Sequence, residues 1–270
     1  MTPSPIRLVI ADVDGTLVTQ EKVLTDGSIE AVRHLHDAGI HFAVTSGRPP
    51  RGMAMLVEPL GLAGPIAAFN GGVIVDPDMT VVEHHDVDEP LVRPITELMG
   101  SFGLAAWIYR GRQWYVPDPS GPHVDREAST VQFDPEVMSG LDGLTDGVAK
   151  IVGVSDDHDA LARASKTVHE RFGDQVAAAA SQPYYLDVTH PKANKGQVAT
   201  YLAGRYRLSP AEIATIGDMP NDVLMFAHSG LSIAMGNADP EVQRAARRVT
   251  DGNDDEGFAK AMRHYVLARG

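Results

Sequence analysis

Two short acidic stretches, far apart in the chain, constrain its fold more than any other feature of the sequence. Residues 12–17 are Asp-Val-Asp-Gly-Thr-Leu, and residues 217–222 are Gly-Asp-Met-Pro-Asn-Asp. Each stretch directly follows a short apolar run, a pattern that predicts a buried strand ending in a turn. Open α/β folds place their chemistry at the carboxyl ends of strands, so the two stretches are expected to meet at one edge of a sheet.

The two stretches together contribute four carboxylates, Asp12, Asp14, Asp218 and Asp222. Clustered carboxylates repel one another, and each is driven toward protonation unless a cation lies among them. A hard divalent ion with oxygen ligands, Mg²⁺, is the simplest remedy. A metal held by Asp residues, with a free carboxylate beside it, suits phosphoryl chemistry.

The bulk composition narrows the classes of partner. The chain has 270 residues, 43% of them hydrophobic, and a formal net charge of −13, which allows one large domain or two unequal ones. Such an acidic protein is a poor candidate for binding nucleic acid or an anionic membrane. The absence of cysteine excludes disulfides, thiolate metal sites and cysteine nucleophiles. With no signal peptide and no apolar run near the ~20 residues of a membrane span, the expected localisation is cytoplasmic.

Strand and helix patterns alternate in both end segments of the chain, which predicts a parallel sheet with crossover helices. The apolar strand-like runs lie at 6–11, 40–44, 66–69, 213–216 and 231–234.

The middle of the chain has a different predicted order of strands and helices. Hairpins are predicted around 76–78 and 110–112, with helices near 90–102 and 157–172. The alanine run at 177–180 is too short to predict anything. The expected fold class is therefore α/β, with a Rossmann-like parallel-sheet core formed by residues 1–83 and 187–270 and an inserted α+β domain at 84–186.

Several residues at the predicted strand ends suit phosphoryl transfer. Asp12 could attack phosphorus to form an aspartyl-phosphate, and Asp14 could protonate the leaving oxygen and later deprotonate water. Ser46, with nearby backbone N–H groups, could hold a phosphoryl oxygen, and either Lys195 or Lys192 could neutralise its charge. Each residue alone is also explained by turn or capping chemistry. That explanation is weaker for the whole set, because it does not account for acids, hydroxyl and lysine at successive strand ends.

In these motifs the chain resembles the haloacid dehalogenase (HAD) superfamily of phosphohydrolases, specifically its Cof-type branch with a type IIB cap. The residues that resemble the four family motifs are Asp12–Leu17, Thr45–Pro49, Asn194–Gly196 and Gly217–Asp222, and the further signatures of the branch are Asn70–Gly72 and Ala234–Ala238.

The resemblance implies a role for each matching residue. Asp12 is implied as the nucleophile, Asp14 as the acid/base and Lys195, rather than Lys192, as the phosphate-binding lysine. Mg²⁺ is implied to bind the Asp12 carboxylate, the Asp14 backbone carbonyl and Asp218, with Asp222 near or in its shell. The insert is implied to be a mobile cap. The other residues predicted at the site are Ser46 and Gly47 for phosphate, and Arg48, Asn70, Gly71 and Asn221 for substrate.

The function expected on this basis is hydrolysis of a small phosphorylated metabolite, such as a sugar phosphate or a phosphorylated cofactor. A phosphomutase or phosphotransferase would share every motif and differ only in the acceptor. A non-enzymatic binding protein would be favoured by the loss of a motif residue, and none is missing. The cap residues that could contact substrate, or simply pack in the sheet, are Trp107, Tyr109, Arg110, Trp114 and Tyr115.

Overall fold

The computed structural model describes residues 4–269, which form two β-sheets covered by helices. The strands are β1 (Leu8–Asp12), β2 (His41–Thr45), β3 (Ile66–Ala68), β4 (Val73–Val75), β5 (Val81–His84), β6 (Ala105–Arg110), β7 (Gln113–Val116), β8 (Glu136–Val137), β9 (Val148–Val154), β10 (Ala177–Gln182), β11 (Tyr185–Thr189), β12 (Ile213–Gly217), β13 (Leu231–Ala234) and β14 (Arg248–Val249). The α-helices are α1 (Asp26–Asp37), α2 (Pro50–Met53), α3 (Val57–Leu60), α4 (Glu89–Ser101), α5 (Val124–Val131), α6 (His158–Phe172), α7 (Lys195–Tyr206), α8 (Val223–Phe226), α9 (Pro240–Ala245) and α10 (Gly257–Ala261).

The core domain is built on an eight-stranded sheet in the order β14-β13-β12-β1-β2-β3-β4-β5. The strands from β14 to β3 pair in parallel, and β4 and β5 extend the sheet as an antiparallel hairpin. In the central strand, Leu8 lies beside both Ile213 and His41, so the two ends of the chain meet there. The predicted α/β core is confirmed.

Strand β1 is buried on both sides, which is why its sequence is a continuous apolar run. Its successive side chains alternate between the two faces of the sheet. Val9 packs in the cluster that contains Val32 of α1, whereas Ile10 packs in the cluster that contains Val198 of α7. Helices therefore cover both faces, as crossover connections in a parallel sheet require.

The cap is a six-stranded sheet in the order β10-β11-β9-β6-β7-β8, with every pairing antiparallel except that of β7 with β8. Helices α4 and α6 cover one face, where Ile95 and Leu161 share a buried cluster. The opposite face carries Trp107 and Tyr109, which pack with core residues such as Phe69. The Phe69 and Tyr109 rings meet edge to face with centroids 5.4 Å apart. The cap thus lies closed against the core.

The two connections between core and cap run side by side. His85 follows β5, His190 follows β11, and their rings stack with centroids 5.3 Å apart. The predicted cap boundary at residue 186 falls inside β11. That strand continues to Thr189 in the cap sheet, because its later residues pair with β9.

Strand β10 contains the alanine run 177–180, which is too short for a prediction from sequence. Alanine has little intrinsic preference for strands, and pairing with β11 imposes the extended conformation. Among residues 4–269, no helix combines the length and the hydropathy needed to cross a membrane.

Candidate active site

Three buried carboxylates converge where β1 and β12 end. Asp12 closes β1, and Asp218 follows β12, its parallel neighbour. One oxygen each of Asp12, Asp218 and Asp222 lies within 4.8 Å of the others. The three residues are at most 8% exposed. The structure therefore brings together acidic residues that are about 200 positions apart in the sequence.

Lys195 provides a buried positive charge within this carboxylate cluster. It is the first residue of α7, whose N-cap Asn194 accepts a hydrogen bond from the backbone of Gln197. Its Nζ donates to Asp12 Oδ1 at 2.5 Å and to Asp222 Oδ1 at 2.7 Å. Burial alone would lower the pKa of Lys195, but the two carboxylates raise it above its usual value, so the side chain stays charged. Lys192, the other lysine considered from the sequence, is exposed.

The side chain of Asp222 is held by backbone as well as by lysine. Its Oδ2 accepts from the backbone N–H groups of Asp218 and Met219, at 3.0 and 2.9 Å. Gly217 makes this close approach possible, since a Cβ there would lie 2.3 Å from Asp222 Cγ. With both oxygens engaged, Asp222 is suited to fixing the position of Asp218 and Lys195.

The cluster carries more negative charge than Lys195 offsets. Burial, followed by the charge of Asp222, raises the pKa of Asp218 to about 6, although Thr16 donates to Asp218 Oδ1 at 2.9 Å. Burial also raises the pKa of Asp12 well above its usual value, despite Lys195. Crowded, buried carboxylate oxygens are the donors that Mg²⁺ prefers, and a divalent cation would relieve their repulsion. The residues present fit that ion.

The loop after β1 lies directly beside the carboxylate cluster. Gly15 has φ +82°, and a Cβ on it would lie 2.3 Å from Asp218 Oδ2. Its carbonyl accepts a hydrogen bond from Asn237 Nδ2 at 2.9 Å. Only glycine fits both this backbone conformation and this proximity, which accounts for its place in the Asp-Gly turn.

The Asp14 carboxylate is bound by cations and is not part of the cluster. Arg48 donates from Nε and Nη2 to its two oxygens at 2.7 and 2.8 Å, and Lys22 Nζ lies 2.8 Å from Oδ1. Burial by itself would raise the pKa of Asp14, but the hydrogen bonds and charge of Arg48, with those of Lys22, lower it to about 2. Asp14 is therefore ionised at neutral pH in this arrangement.

The loops after β2 and β3 form a second wall of the site. Ser46 Oγ accepts from the Arg48 backbone N–H at 3.2 Å and lies 3.5 Å from Asp14 Oδ2. Asn70, at φ 58°, donates its N–H to the Ser46 carbonyl and accepts from Asn221 Nδ2 at 3.4 Å. The residues from the core motifs that line one common cavity are Asp12, Asp14, Ser46, Gly47, Arg48, Asn70, Lys195 and Asn221.

Gly71 does not line this cavity, and its contact with substrate stays a prediction. It adopts φ +99°, and a Cβ there would lie 2.5 Å from Val198 Cγ2 of α7. The glycine is thus required by the turn and by the packing of the loop against the helix.

The cap covers the cavity, which stays partly open to solvent and has a volume of about 150 Å³. Of the five cap residues considered from the sequence, only Tyr109 lines it. Trp107 and Trp114 are buried in packing, Arg110 pairs with Asp146, and Tyr115 packs with the cluster beneath α4 and α6.

Sequence reasoning missed the charged cap residues at the cavity, Arg126, Glu127, Lys150 and Asp187. Two of them had a recognisable signal. Lys150 and Asp187 each interrupt an apolar strand, and a charge at such a position is buried unless the strand lies at the surface.

Comparison with known proteins assigns the chain to a family. Residues 9–262 match the haloacid dehalogenase-like hydrolases. The chain belongs to this family. The HAD motifs recognised in the sequence are therefore confirmed at the level of the family.

Individual relatives match this chain over nearly its whole length. The chain is 26% identical to the 5-amino-6-(5-phospho-D-ribitylamino)uracil phosphatase YcsE of Bacillus subtilis, covering 97% of this chain and 96% of that protein. A haloacid dehalogenase-like hydrolase from Bacteroides thetaiotaomicron is 26% identical, with a TM-score of 0.86 over 96% of this chain and 98% of that one. A sugar phosphatase of HAD subclass IIB, 20% identical, has the same fold, with a TM-score of 0.84 over 96% and 98% of the two chains. The relatives thus share nearly the full length of this HAD hydrolase, and the subclass IIB structure shares its fold.

Proposed function

We propose that this HAD hydrolase is a Mg²⁺-dependent phosphatase that hydrolyses a small phosphorylated metabolite through an aspartyl-phosphate on Asp12. The observation that carries the proposal is the convergence of Asp12, Lys195 and Asp218 in one buried cluster, with Asp12 and Lys195 lining the cavity between core and cap. The cavity, about 150 Å³, suits a small leaving group. The relative YcsE acts on a phosphorylated small molecule, and the absence of cysteine is compatible with a cytoplasmic enzyme.

Asp12 is the nucleophile in this scheme. Lys195 holds its Oδ1, which orients the carboxylate and leaves Oδ2 to attack phosphorus. The P–O bond to the leaving group breaks as the bond to Asp12 forms. Ser46 and the backbone of Gly47 hold phosphoryl oxygens, and the charge of Lys195 offsets the negative charge of the transferred group.

Asp14 moves the protons. It protonates the departing oxygen, then takes a proton from the water that attacks the aspartyl-phosphate. As described, it is an ionised base held by Arg48 and Lys22. Acting first as an acid requires that these cations leave it and that it takes up a proton from solvent; the anionic phosphoryl group of an incoming substrate offers the cations a new partner.

The predicted metal ligands are the Asp12 carboxylate, the Asp14 backbone carbonyl and Asp218, with Asp222 near or in the shell, where its contact with the Asp218 backbone would fix the position of that residue. Mg²⁺ held there would screen the charge of the phosphoryl group and favour attack by a carboxylate.

Replacing Asp12 by Asn tests the proposal. Asp12→Asn keeps the shape of the side chain but removes the nucleophile, so phosphate release from p-nitrophenyl phosphate with Mg²⁺ is expected to fall at least about a thousandfold. Asp146→Asn, an exposed cap residue paired with Arg110, is the matched control and should keep full activity. Turnover retained by Asp12→Asn would refute the covalent route.

Product analysis separates hydrolysis from the alternative functions. With a sugar phosphate as substrate, a phosphatase releases inorganic phosphate, whereas a mutase returns an isomeric sugar phosphate without it. Formation of an isomeric sugar phosphate without free phosphate would refute the phosphatase proposal and favour a phosphomutase.

A further inference from the structure

We propose that Lys150, Tyr185 and Asp187 form a leaving-group subsite that favours neutral leaving groups carrying hydroxyl or N–H donors and disfavours anionic ones. This inference rests on the proposed phosphatase function, because it concerns the group released from phosphorus. It assigns substrate selection to the face of the cap sheet that looks toward the core.

The three side chains lie on one face of the cap sheet. Tyr185 and Asp187 are two residues apart on β11, so they point to the same side. The residues that alternate with them, Leu186 and Val188, pack beneath α4 and α6 on the other side. Lys150 of β9 pairs with Thr189 in register, which places it diagonally from Asp187 on the core-facing side.

The subsite contains hydrogen-bonding capacity that the protein does not use. Lys150 Nζ lies 3.3 Å from Asp187 Oδ2, whereas Asp187 Oδ1 and the Tyr185 hydroxyl, both buried, have no hydrogen-bond partner among residues 4–269. The two residues are 6% and 8% exposed, and both line the cavity. Buried polar atoms without partners destabilise the closed cap, so a ligand with donors for a carboxylate oxygen would favour closure.

The charges around the subsite disfavour an anionic leaving group. Glu127 lines the same cavity and accepts a hydrogen bond from the Tyr109 hydroxyl at 2.5 Å. Glu127 and Asp187 thus present two carboxylates, while Lys150, the buried cap cation, is already paired with one of them. Arg126 also lines the cavity, but it is exposed at the rim near the Tyr184 ring, where solvent screens its charge. A second phosphate or carboxylate would meet like charges at short range.

Lys150 also connects the subsite to the phosphate-binding loop. Its Nζ donates to the Gly47 carbonyl at 3.2 Å, a side-chain hydrogen bond between the cap sheet and the core. Ser46 and Arg48, the neighbours of Gly47, are proposed above to act on the phosphoryl group. An ester whose phosphoryl group sits in that loop therefore directs its leaving group toward Lys150 and Asp187.

Three phosphate esters test the subsite: D-glucitol 6-phosphate, a neutral polyol ester; p-nitrophenyl phosphate, whose leaving group has no donor; and 3-phosphoglycerate, whose leaving group is anionic. Wild type is expected to prefer the polyol ester to 3-phosphoglycerate by at least about tenfold in kcat/KM. Tyr185→Phe and Asp187→Asn should each lower kcat/KM for the polyol ester about fivefold or more, with less than about twofold change for the aryl ester. Tyr115→Phe, a cap tyrosine on the opposite side, should change neither.

The subsite proposal would be overturned if the variants lost kcat/KM equally on the polyol and aryl esters, or if the ratio of kcat/KM between these esters stayed as in wild type. It would also be overturned if wild type preferred 3-phosphoglycerate. Calorimetric titration of the Asp12→Asn protein with the same polyol ester and 3-phosphoglycerate gives this comparison without turnover. The subsite proposal predicts that the polyol ester binds more tightly than 3-phosphoglycerate. A second substitution, Tyr185→Phe, should weaken the binding of the polyol ester. Failure of the phosphatase proposal appears separately, as absence of phosphate release from all three esters by wild type.

Discussion

Arg48 donates to both carboxylate oxygens of Asp14, at 2.7 and 2.8 Å, and is itself 4% exposed. A two-pronged contact of this kind fixes the orientation of a carboxylate as well as its charge. It also explains why Asp14 lies outside the cluster formed by Asp12, Asp218 and Asp222, although all four residues come from the two acidic stretches.

Replacing Asp14 should therefore reduce stability in a pH-dependent way. The folded-state pKa of about 2 is below the usual 3.8, so the ionised group stabilises the fold above pH ~4 and loses this effect as the pH falls toward 2. For Asp14→Asn we expect a loss of about 2 kcal/mol at pH 7 and about half of that at pH 3. Urea unfolding in the presence of EDTA measures the free energy of unfolding of wild type and Asp14→Asn at both pH values. A difference between the two proteins that does not change with pH would contradict the role given to Arg48.

Removing Lys195 should destabilise the fold strongly. Lys195→Met leaves Asp12 and Asp222 buried without their cation, and breaking such a pair costs about 3–5 kcal/mol. The carboxylates should then protonate more readily, so the variant is expected to regain stability relative to wild type between pH 8 and pH 5. Denaturant melts across this range are the measurement, and Lys192→Met, at an exposed lysine of the same loop, should behave like wild type.

Mg²⁺ should stabilise the folded protein through the carboxylate cluster. At ten times its Kd, the ion should add about 1.4 kcal/mol and raise Tm by a few degrees. Asp218→Asn should abolish this shift, whereas Asp146→Asn, in the cap, should preserve it. Thermal melts with and without Mg²⁺ decide the point. If Mg²⁺ raised the Tm of Asp218→Asn as much as that of wild type, the ion would bind at another site.

Gly71→Ala should affect folding rather than substrate binding. The added Cβ meets Val198 at a backbone φ of +99°, so a loss of about 2 kcal/mol or more in unfolding free energy is expected. Gly61→Ala is a fitting comparison, because Gly61 has φ +55° and a Cβ there would lie 3.8 Å from the His36 ring. This substitution should cost about 1 kcal/mol. Activity assays on the folded fraction of Gly71→Ala should give an unchanged KM. A raised KM at normal stability would restore the substrate role predicted from the sequence.

The core of the site could be anticipated because it depends on the ends of parallel strands. Asp12 and Asp218 follow apolar runs that can only be buried strands, and pairing of β1 with β12 brings those ends together. The family motif around Asn194 likewise favoured Lys195 over Lys192. These inferences need only the local sequence pattern and the order of strands in a parallel sheet.

The remaining features depend on how separate elements dock, which local pattern does not encode. The Asp14 carboxylate turns to Arg48 because the loop after β2 lies beside it. Glu127 and Asp187 reach the cavity only because the cap sheet packs against the core. Gly71 belongs to a recognised signature, yet its requirement comes from contact with α7.

The adjacent connections at His85 and His190 have an evolutionary consequence. The cap leaves and re-enters the core at a single point on its surface, so a replacement segment has only to bring its two ends together there. Recombination or gene conversion could then exchange the whole cap, and with it the preferred leaving group, while the strands that carry the phosphoryl-transfer residues keep their order and register.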